Sequence, residues 1–168
     1  MKHMLRLTVN EQVHELAVQP NRTLADLLRK EIGLTGTKHG CGEGDCGACV
    51  VLLDGLPVNS CLVLALECEG REVVTIEGVA PDSIVGRNRL HPVQDAFVEA
   101  GAVQCGYCTP GMILTALDLL KRNPRPTEHE VRHAISGNLC RCTGYQKIVE
   151  AILLAADWIN AAGEEVRS

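Results

Sequence analysis

Eight of the nine cysteines in this 168-residue chain fall into two groups of four, and that grouping limits the fold more than any other feature. Cys41, Cys46, Cys49 and Cys61 follow the spacing C-x4-C-x2-C-x11-C. Cys105, Cys108, Cys140 and Cys142 give C-x2-C, thirty-one intervening residues, then C-x-C. Whatever the chain folds into must gather thiols twice. Disulfide pairing is disfavoured by the odd total and by the expected setting. The stretch MKHMLRLTVNEQVHEL has neither a long apolar run nor a small-residue cleavage site, so no secretory signal is read there. The expected location is cytoplasmic, where thiols stay reduced and clustered cysteines more often hold metal.

The first group carries its own chemistry. A C-x4-C-x2-C triplet with a distant fourth cysteine is the plant-type ferredoxin spacing for a 2Fe-2S cluster. Such a loop must curl round an anionic centre and bring three thiolates to it from one side. Gly40, Gly42, Gly44 and Gly47 allow positive φ and close approach of backbone N–H groups to sulfur. Zinc is the rival occupant, but structural zinc sites favour paired short spacings, which the triplet fits poorly. The same glycines spell Gly42-x-Gly44-x-x-Gly47, a dinucleotide fingerprint in letters only. That motif needs a strand before it and a helix after it, and here the order is reversed.

The second group hides a repeat. CGYCTPGMIL and CRCTGYQKI each place a cysteine pair and a threonine just before a helix start. Thr109 and Thr143 are the expected N-caps, with Pro110 at the first helical position. Two helix N-termini pointed at one centre, related by an approximate twofold, would favour its negative charge and tend to bury it. A C-x2-C…C-x-C zinc site is the alternative for this half. Cys68, in LALECEG, is left over and reads as a buried structural thiol at a helix end. His39, near Cys41, reads as a loop side chain, because a Rieske-type centre needs two histidines. His129 and His133 lie i, i+4 on a solvated helix face, and Lys121 and Arg122 suit a helix C-terminus.

The chain divides near its middle, and the expected fold class is α+β. Met4 to Val9 and Val13 to Val18 alternate loosely around Asn10-Glu11, as a hairpin does. Thr23 precedes Leu24, Leu27 and Leu28, with Asp26 three residues on, as a variant capping box opening a short helix that Gly33 and Gly36 end. Val50 to Leu53 and Val73 to Ile76 read as strands, with Asp54-Gly55 as a hairpin turn. The stretch from Gly78 to Leu90 lacks periodicity and reads as a linker. Helices are expected over Pro92 to Ala100, Pro110 to Arg122, Glu128 to Ser136 and Tyr145 to Ala162, short-looped enough for a compact bundle. Only 2% of residues are aromatic, so the core must be built from Leu, Val, Ile and Ala. A net charge of −5 without a basic run argues against nucleic acid as a partner. No apolar run approaches the roughly eighteen residues of a membrane span.

Taken together, GCGEGDCGAC, QCGYCTPGM and GNLCRCTGY resemble the small iron–sulfur subunit of the molybdenum hydroxylases, the family of xanthine dehydrogenase, aldehyde oxidoreductase, carbon monoxide dehydrogenase and 4-hydroxybenzoyl-CoA reductase. The likeness runs roughly from Leu5 to Ile159, and all eight grouped cysteines match. The resemblance implies a plant-type ferredoxin-like β-grasp domain over 1–78, a linker over 79–90 and a four-helix bundle over 91–168, each domain with one 2Fe-2S cluster. It implies a large molybdopterin-binding subunit and a medium FAD-binding subunit as partners. It places Gln104 and Cys142 toward the pterin. The chain itself shows no base, nucleophile or substrate pocket, so the expected role is a non-catalytic electron-transfer subunit of an oxidoreductase. A free-standing two-cluster carrier is the alternative.

Overall fold

The computed structural model describes residues 1–80 and 90–165. The linker expected over 79–90 therefore lies, from 81 to 89, outside the described residues, as do residues 166–168.

Strands β1 (His3–Val9) and β2 (Gln12–Val18) form the expected antiparallel hairpin, with Val9 opposite Gln12. The turn between them holds Asn10 at φ 48° and Glu11 at φ 66°, the doubly left-handed geometry that matches strand twist in a two-residue hairpin. Leu5, Leu7 and Val9 point inward and are buried, while Met4 and Arg6 face out, because side chains alternate along a strand. Helix α1 (Leu24–Asp26) starts at Thr23, whose hydroxyl accepts the Asp26 N–H at 3.2 Å. It runs on as a π-wound stretch, Leu27–Ile32, and stops at Gly33 with φ 87°. The wider winding was not expected. It still buries Leu24, Leu27 and Leu28.

Strands β3 (Val50–Leu53) and β4 (Leu56–Asn59) pair across the Asp54-Gly55 turn. Strand β5 (Glu72–Val74) pairs parallel with β1 and antiparallel with β3, giving the sheet order β2-β1-β5-β3-β4. Strand β5 is shorter than expected, since Ile76–Gly78 turns into a 3-10 coil. Strand β4 was anticipated only through its turn. Its Pro57 is tolerated because β4 is an edge strand, where a missing N–H costs no ladder bond.

The remaining helices are α2 (Pro92–Glu99), α3 (Thr109–Arg122), α4 (Glu128–Ala134) and α5 (Gln146–Glu165), all within two residues of their expected starts. Helix α5 packs on α2, α4 bridges α5 and α3, and α3 also lies against β3. In α5, Ile148, Ile152, Ala155 and Ala156 bury one stripe, as the helical period demands. None of the described helices is long and apolar enough to cross a membrane.

Two apolar cores result. One gathers Leu5, Leu7, Leu24, Leu28, Val51, Leu53 and Val73 beneath the sheet. The other gathers Val93, Phe97, Met112, Leu114, Val131, Ile148 and Ile152 among the helices. Strand β3 belongs to both. Val51 and Leu53 face the first core, whereas Val50 and Leu52 face the second. That is why VVLL has no polar residue: a strand covered on both sides reads as an unbroken apolar run.

Candidate metal centre

The first cysteine group is held between α1 and the β3–β4 hairpin. Beyond Gly33, Arg29 donates to the Thr35 and Thr37 carbonyls at 3.1 and 2.7 Å, fixing the way into the loop. The Lys38 N–H meets the Ala48 carbonyl at 3.2 Å and closes the loop. Inside it, the Glu43 N–H donates to Cys41 Sγ, and the Cys41 N–H to Cys46 Sγ, each at 3.4 Å. Gly42, Gly44 and Gly47 take positive φ, as anticipated. Gly40 does not, and is needed for room instead: a Cβ there would stand 2.6 Å from Cys46 Sγ. Cys49 precedes β3 and Cys61 follows β4. The ladder pairs Val50 with Asn59, and the Ser60 N–H and hydroxyl both donate to the Cys49 carbonyl, at 3.3 and 2.6 Å. The hairpin register thus brings Cys61 beside Cys49. Asn59 ties the hairpin to the loop by donating to the Gly44 carbonyl at 2.8 Å.

The second group is held by helix ends. Cys105 and Cys108 lie on the α2–α3 loop, Cys140 and Cys142 on the α4–α5 loop. Cys142 Sγ and Cys105 Sγ are 3.5 Å apart. Cys140 Sγ touches the Thr143 hydroxyl at 3.1 Å and accepts the Thr143 N–H at 3.5 Å. The Cys140 N–H donates to the Tyr145 hydroxyl at 2.9 Å. Tyr145 reaches back this way from a left-handed backbone, φ 70°.

The capping expectation needs correction. Cys108, not Thr109, is the N-cap of α3, and Thr109 is its first helical residue. Thr143 accepts the Tyr145 N–H at 3.1 Å, and α5 begins only at Gln146. Thr143 serves Cys140 and the turn rather than the helix. The expected burial holds for half of this group. Cys108 and Cys140 are half-buried, while Cys105 and Cys142 are exposed.

Electrostatics sorts the thiols differently: exposed Cys142 is raised by its Cys105 neighbour. The Glu43 and Cys46 N–H groups hold Cys41 down to about 6. The Tyr107 N–H also lowers Cys105. Burial pushes Cys61 up to about 11 and Cys108 up to about 12, each helped by a neighbouring thiol, Cys49 and Cys140 respectively. Burial works against Cys140 too, but the Thr143 hydroxyl and N–H outweigh it and the thiol is lowered. Each group therefore joins an easily ionised sulfur to a buried one that loses its proton readily only when a cation takes the proton's place on sulfur. Metal binding supplies that cation and releases the proton.

Across both groups the thiols meet in pairs: Cys41 with Cys46, Cys49 with Cys61, Cys105 with Cys142, and Cys108 with Cys140. Among the described residues no set of three or more His, Cys, Asp or Glu side chains is disposed to hold one metal ion. Two pairs of thiols with N–H groups aimed at sulfur fit a two-iron centre, which takes two ligands on each iron.

Other sequence readings find their places. Cys68 is fully buried in the first core, pushed up to about 11 by burial, with its S–H on the Leu64 carbonyl. His129 and His133 are exposed, and Lys121 and Arg122 end α3. Gln104 is exposed next to Cys105. Sequence reasoning missed the residues that join the two groups. The Tyr107 hydroxyl donates to the His39 carbonyl at 2.8 Å, and the Leu139 N–H to the Cys46 carbonyl at 2.9 Å. Asn138 donates to the Gly47 carbonyl at 3.1 Å. No local pattern marks these contacts.

Two family models match the chain. A 2Fe-2S iron-sulfur cluster binding domain covers residues 7–76, and a 2Fe-2S binding domain covers 75–153. The small FeS subunit of nicotinate dehydrogenase from Eubacterium barkeri is 51% identical over 156 residues, 93% of this chain and 96% of that one. The xanthine dehydrogenase iron-sulfur-binding subunit of Escherichia coli O157:H7 is 46% identical over 151 residues, 89% of this chain and 91% of that one. Quinoline 2-oxidoreductase from Pseudomonas putida 86 contains a chain that superposes with a TM-score of 0.88 at 43% identity, covering 95% of this chain and 97% of that chain.

Proposed function

The chain belongs to the small iron–sulfur subunits of the molybdenum hydroxylases, and from that membership we propose that it relays electrons between a molybdopterin site and an FAD site on partner subunits. The observation that carries this reading is the double gathering of thiols in pairs on one short chain. Each 2Fe-2S centre supplies one-electron redox chemistry when bound. This chain's residues do the rest. Cys41, Cys46, Cys49 and Cys61 hold one centre, and Cys105, Cys108, Cys140 and Cys142 hold the other. The N–H groups of Glu43 and Thr143, donating to Cys41 and Cys140, stabilise negative charge on sulfur. Burial of Cys49 and Cys61 keeps water from the inner side of the first centre.

Residues 1–78 form the plant-type ferredoxin-like β-grasp domain and residues 91–168 the four-helix bundle, joined by 79–90. The division between the matched models near residue 75 and the two apolar cores support that reading. The subunit is non-catalytic and works in the cytoplasm. Its exposed sulfurs, Cys105 and Cys142, lie beside exposed Gln104, Val103 and Tyr107. That face receives the molybdopterin subunit, where the Gln104 amide offers both a donor and an acceptor to a pterin edge and Cys142 accepts a hydrogen bond. The FAD subunit meets the side of the first centre, near exposed Cys41.

The test pairs two substitutions in the native complex. Cys46→Ser should remove one of two EPR signals of the reduced protein, and Cys140→Ser the other. Molybdopterin and FAD should copurify with the wild-type chain. Loss of both signals from either variant in a still-folded protein would overturn the ligand assignment. A native monomer free of both cofactors would favour an independent electron carrier.

A further inference from the structure

Asn138 is a short polar side chain with only 4% of its surface exposed, packed where the two cysteine groups approach each other. Both polar atoms of its side chain and its backbone N–H are engaged. Its Nδ2 donates to the Gly47 carbonyl at 3.1 Å, and its Oδ1 accepts the Thr115 hydroxyl at 3.0 Å. Its backbone N–H donates to the Ile135 carbonyl at 2.9 Å. Thr115 is itself buried, on α3. The surroundings leave no slack. A Cβ on Gly47 would fall 2.4 Å from the Gly137 carbonyl oxygen, and one on Gly111 would fall 2.4 Å from the Gly47 carbonyl oxygen.

The neighbouring residues give this arrangement a purpose. Gly47 follows Cys46, and Leu139 lies between Asn138 and Cys140. The Leu139 N–H donates to the Cys46 carbonyl at 2.9 Å. Cys46 and Cys140 are therefore joined by one hydrogen bond, and the rest of the route is covalent backbone and the two cysteine side chains. A buried amide bonded through both its nitrogen and its oxygen is a rigid link, because leaving either partner unpaired in the interior is costly.

We infer that Asn138, seated by Thr115, is a positioning residue that clamps the Cys46–Gly47 peptide against the Asn138–Leu139 peptide, making the Leu139–Cys46 hydrogen bond the through-bond contact between the two redox centres. The inference rests on the two-centre reading above. One electron is lost on one side of this contact and gained on the other; no bond is made or broken and no proton moves. Asn138 touches neither centre and acts through the peptides it holds.

The test uses the full assembled complex with three substitutions: Asn138→Ala, the milder Thr115→Val, and the conservative Thr115→Ser. Three quantities are read: iron content, hydrogen–deuterium exchange of the Leu139 amide by mass spectrometry, and the splitting of EPR lines by coupling between the two reduced centres. Asn138→Ala should keep its iron, exchange the Leu139 amide about tenfold faster or more, as expected for losing a buried hydrogen-bonded anchor, and show weakened coupling. Thr115→Val should move both readouts the same way by less, and Thr115→Ser should restore them. If Asn138→Ala fails to fold, Thr115→Val decides. A folded Asn138→Ala or Thr115→Val with unchanged amide protection and unchanged coupling would overturn the clamp. So would selective loss of iron from one group, which would make Asn138 a support of that centre alone. A wild-type protein lacking two coupled signals would instead refute the two-centre reading, while protection of the Leu139 amide would still report on the clamp.

Discussion

Gly47 and Gly70 hold almost the same backbone conformation, φ 67° and 72°, in very different surroundings. Nothing lies within 4 Å of a Cβ built on Gly70. A Cβ on Gly47 meets backbone oxygen at 2.4 Å and Asn138 Nδ2 at 2.7 Å. Gly70→Ala should therefore cost only the left-handed backbone penalty, about 1–2 kcal/mol. Gly47→Ala adds a clash with backbone that cannot swing aside, and should cost about 3 kcal/mol or more. Urea unfolding of the two variants in the same background measures the difference, and equal costs would show that the Gly47 contact is not tight. The glycines of the cysteine loop were legible in the sequence, but their separate duties were not. Gly42 answers to φ, Gly47 to φ and to the packed backbone beside it, and Gly40 to the size of the Cys46 sulfur, a constraint that exists only once the loop has closed. The close pairs and triplet of cysteines were legible because their spacing within each loop is local. Asn138 was not, because its bond to Gly47 spans 91 residues.

At the scale of elements, the legible parts are those whose period or turn chemistry acts over a few residues. The β1–β2 hairpin and the long helices α3 and α5 follow from alternation, paired turn residues and apolar stripes. Strand β4 was less visible, since its four residues include a proline and its order comes from pairing with β3. The π-winding of Leu27–Ile32 left no sequence mark, because an apolar stripe tolerates either winding. The N-cap of α3 was placed at Thr109 by the capping preference of threonine, with the helix starting at Pro110, yet the cap position falls to Cys108 and the helix starts at Thr109. Thr23, by contrast, caps α1 as expected. Thr23→Ala should destabilise the fold by about 1 kcal/mol, the usual loss for a threonine N-cap. Thermal or urea unfolding measures it. A change below a few tenths would mean that packing of Leu24, Leu27 and Leu28 alone sets the start of the helix.

Among the described residues the two main cores share one strand, with a cysteine group beside each and a hydrogen-bonded seam between the groups. The seam explains how separate 2Fe-2S modules can serve as one relay: β3 and Asn138 fix where the second group sits relative to the first. Cys41, Cys105 and Cys142 are the exposed members of the two groups. All of this depends on each thiol quartet holding two irons. The direct measurement is iron and acid-labile sulfide per chain, taken on protein purified from its native cell without oxygen. Two 2Fe-2S centres require about four irons and about four sulfides, with no stoichiometric zinc. Half that content, or zinc in place of iron, would contradict the account.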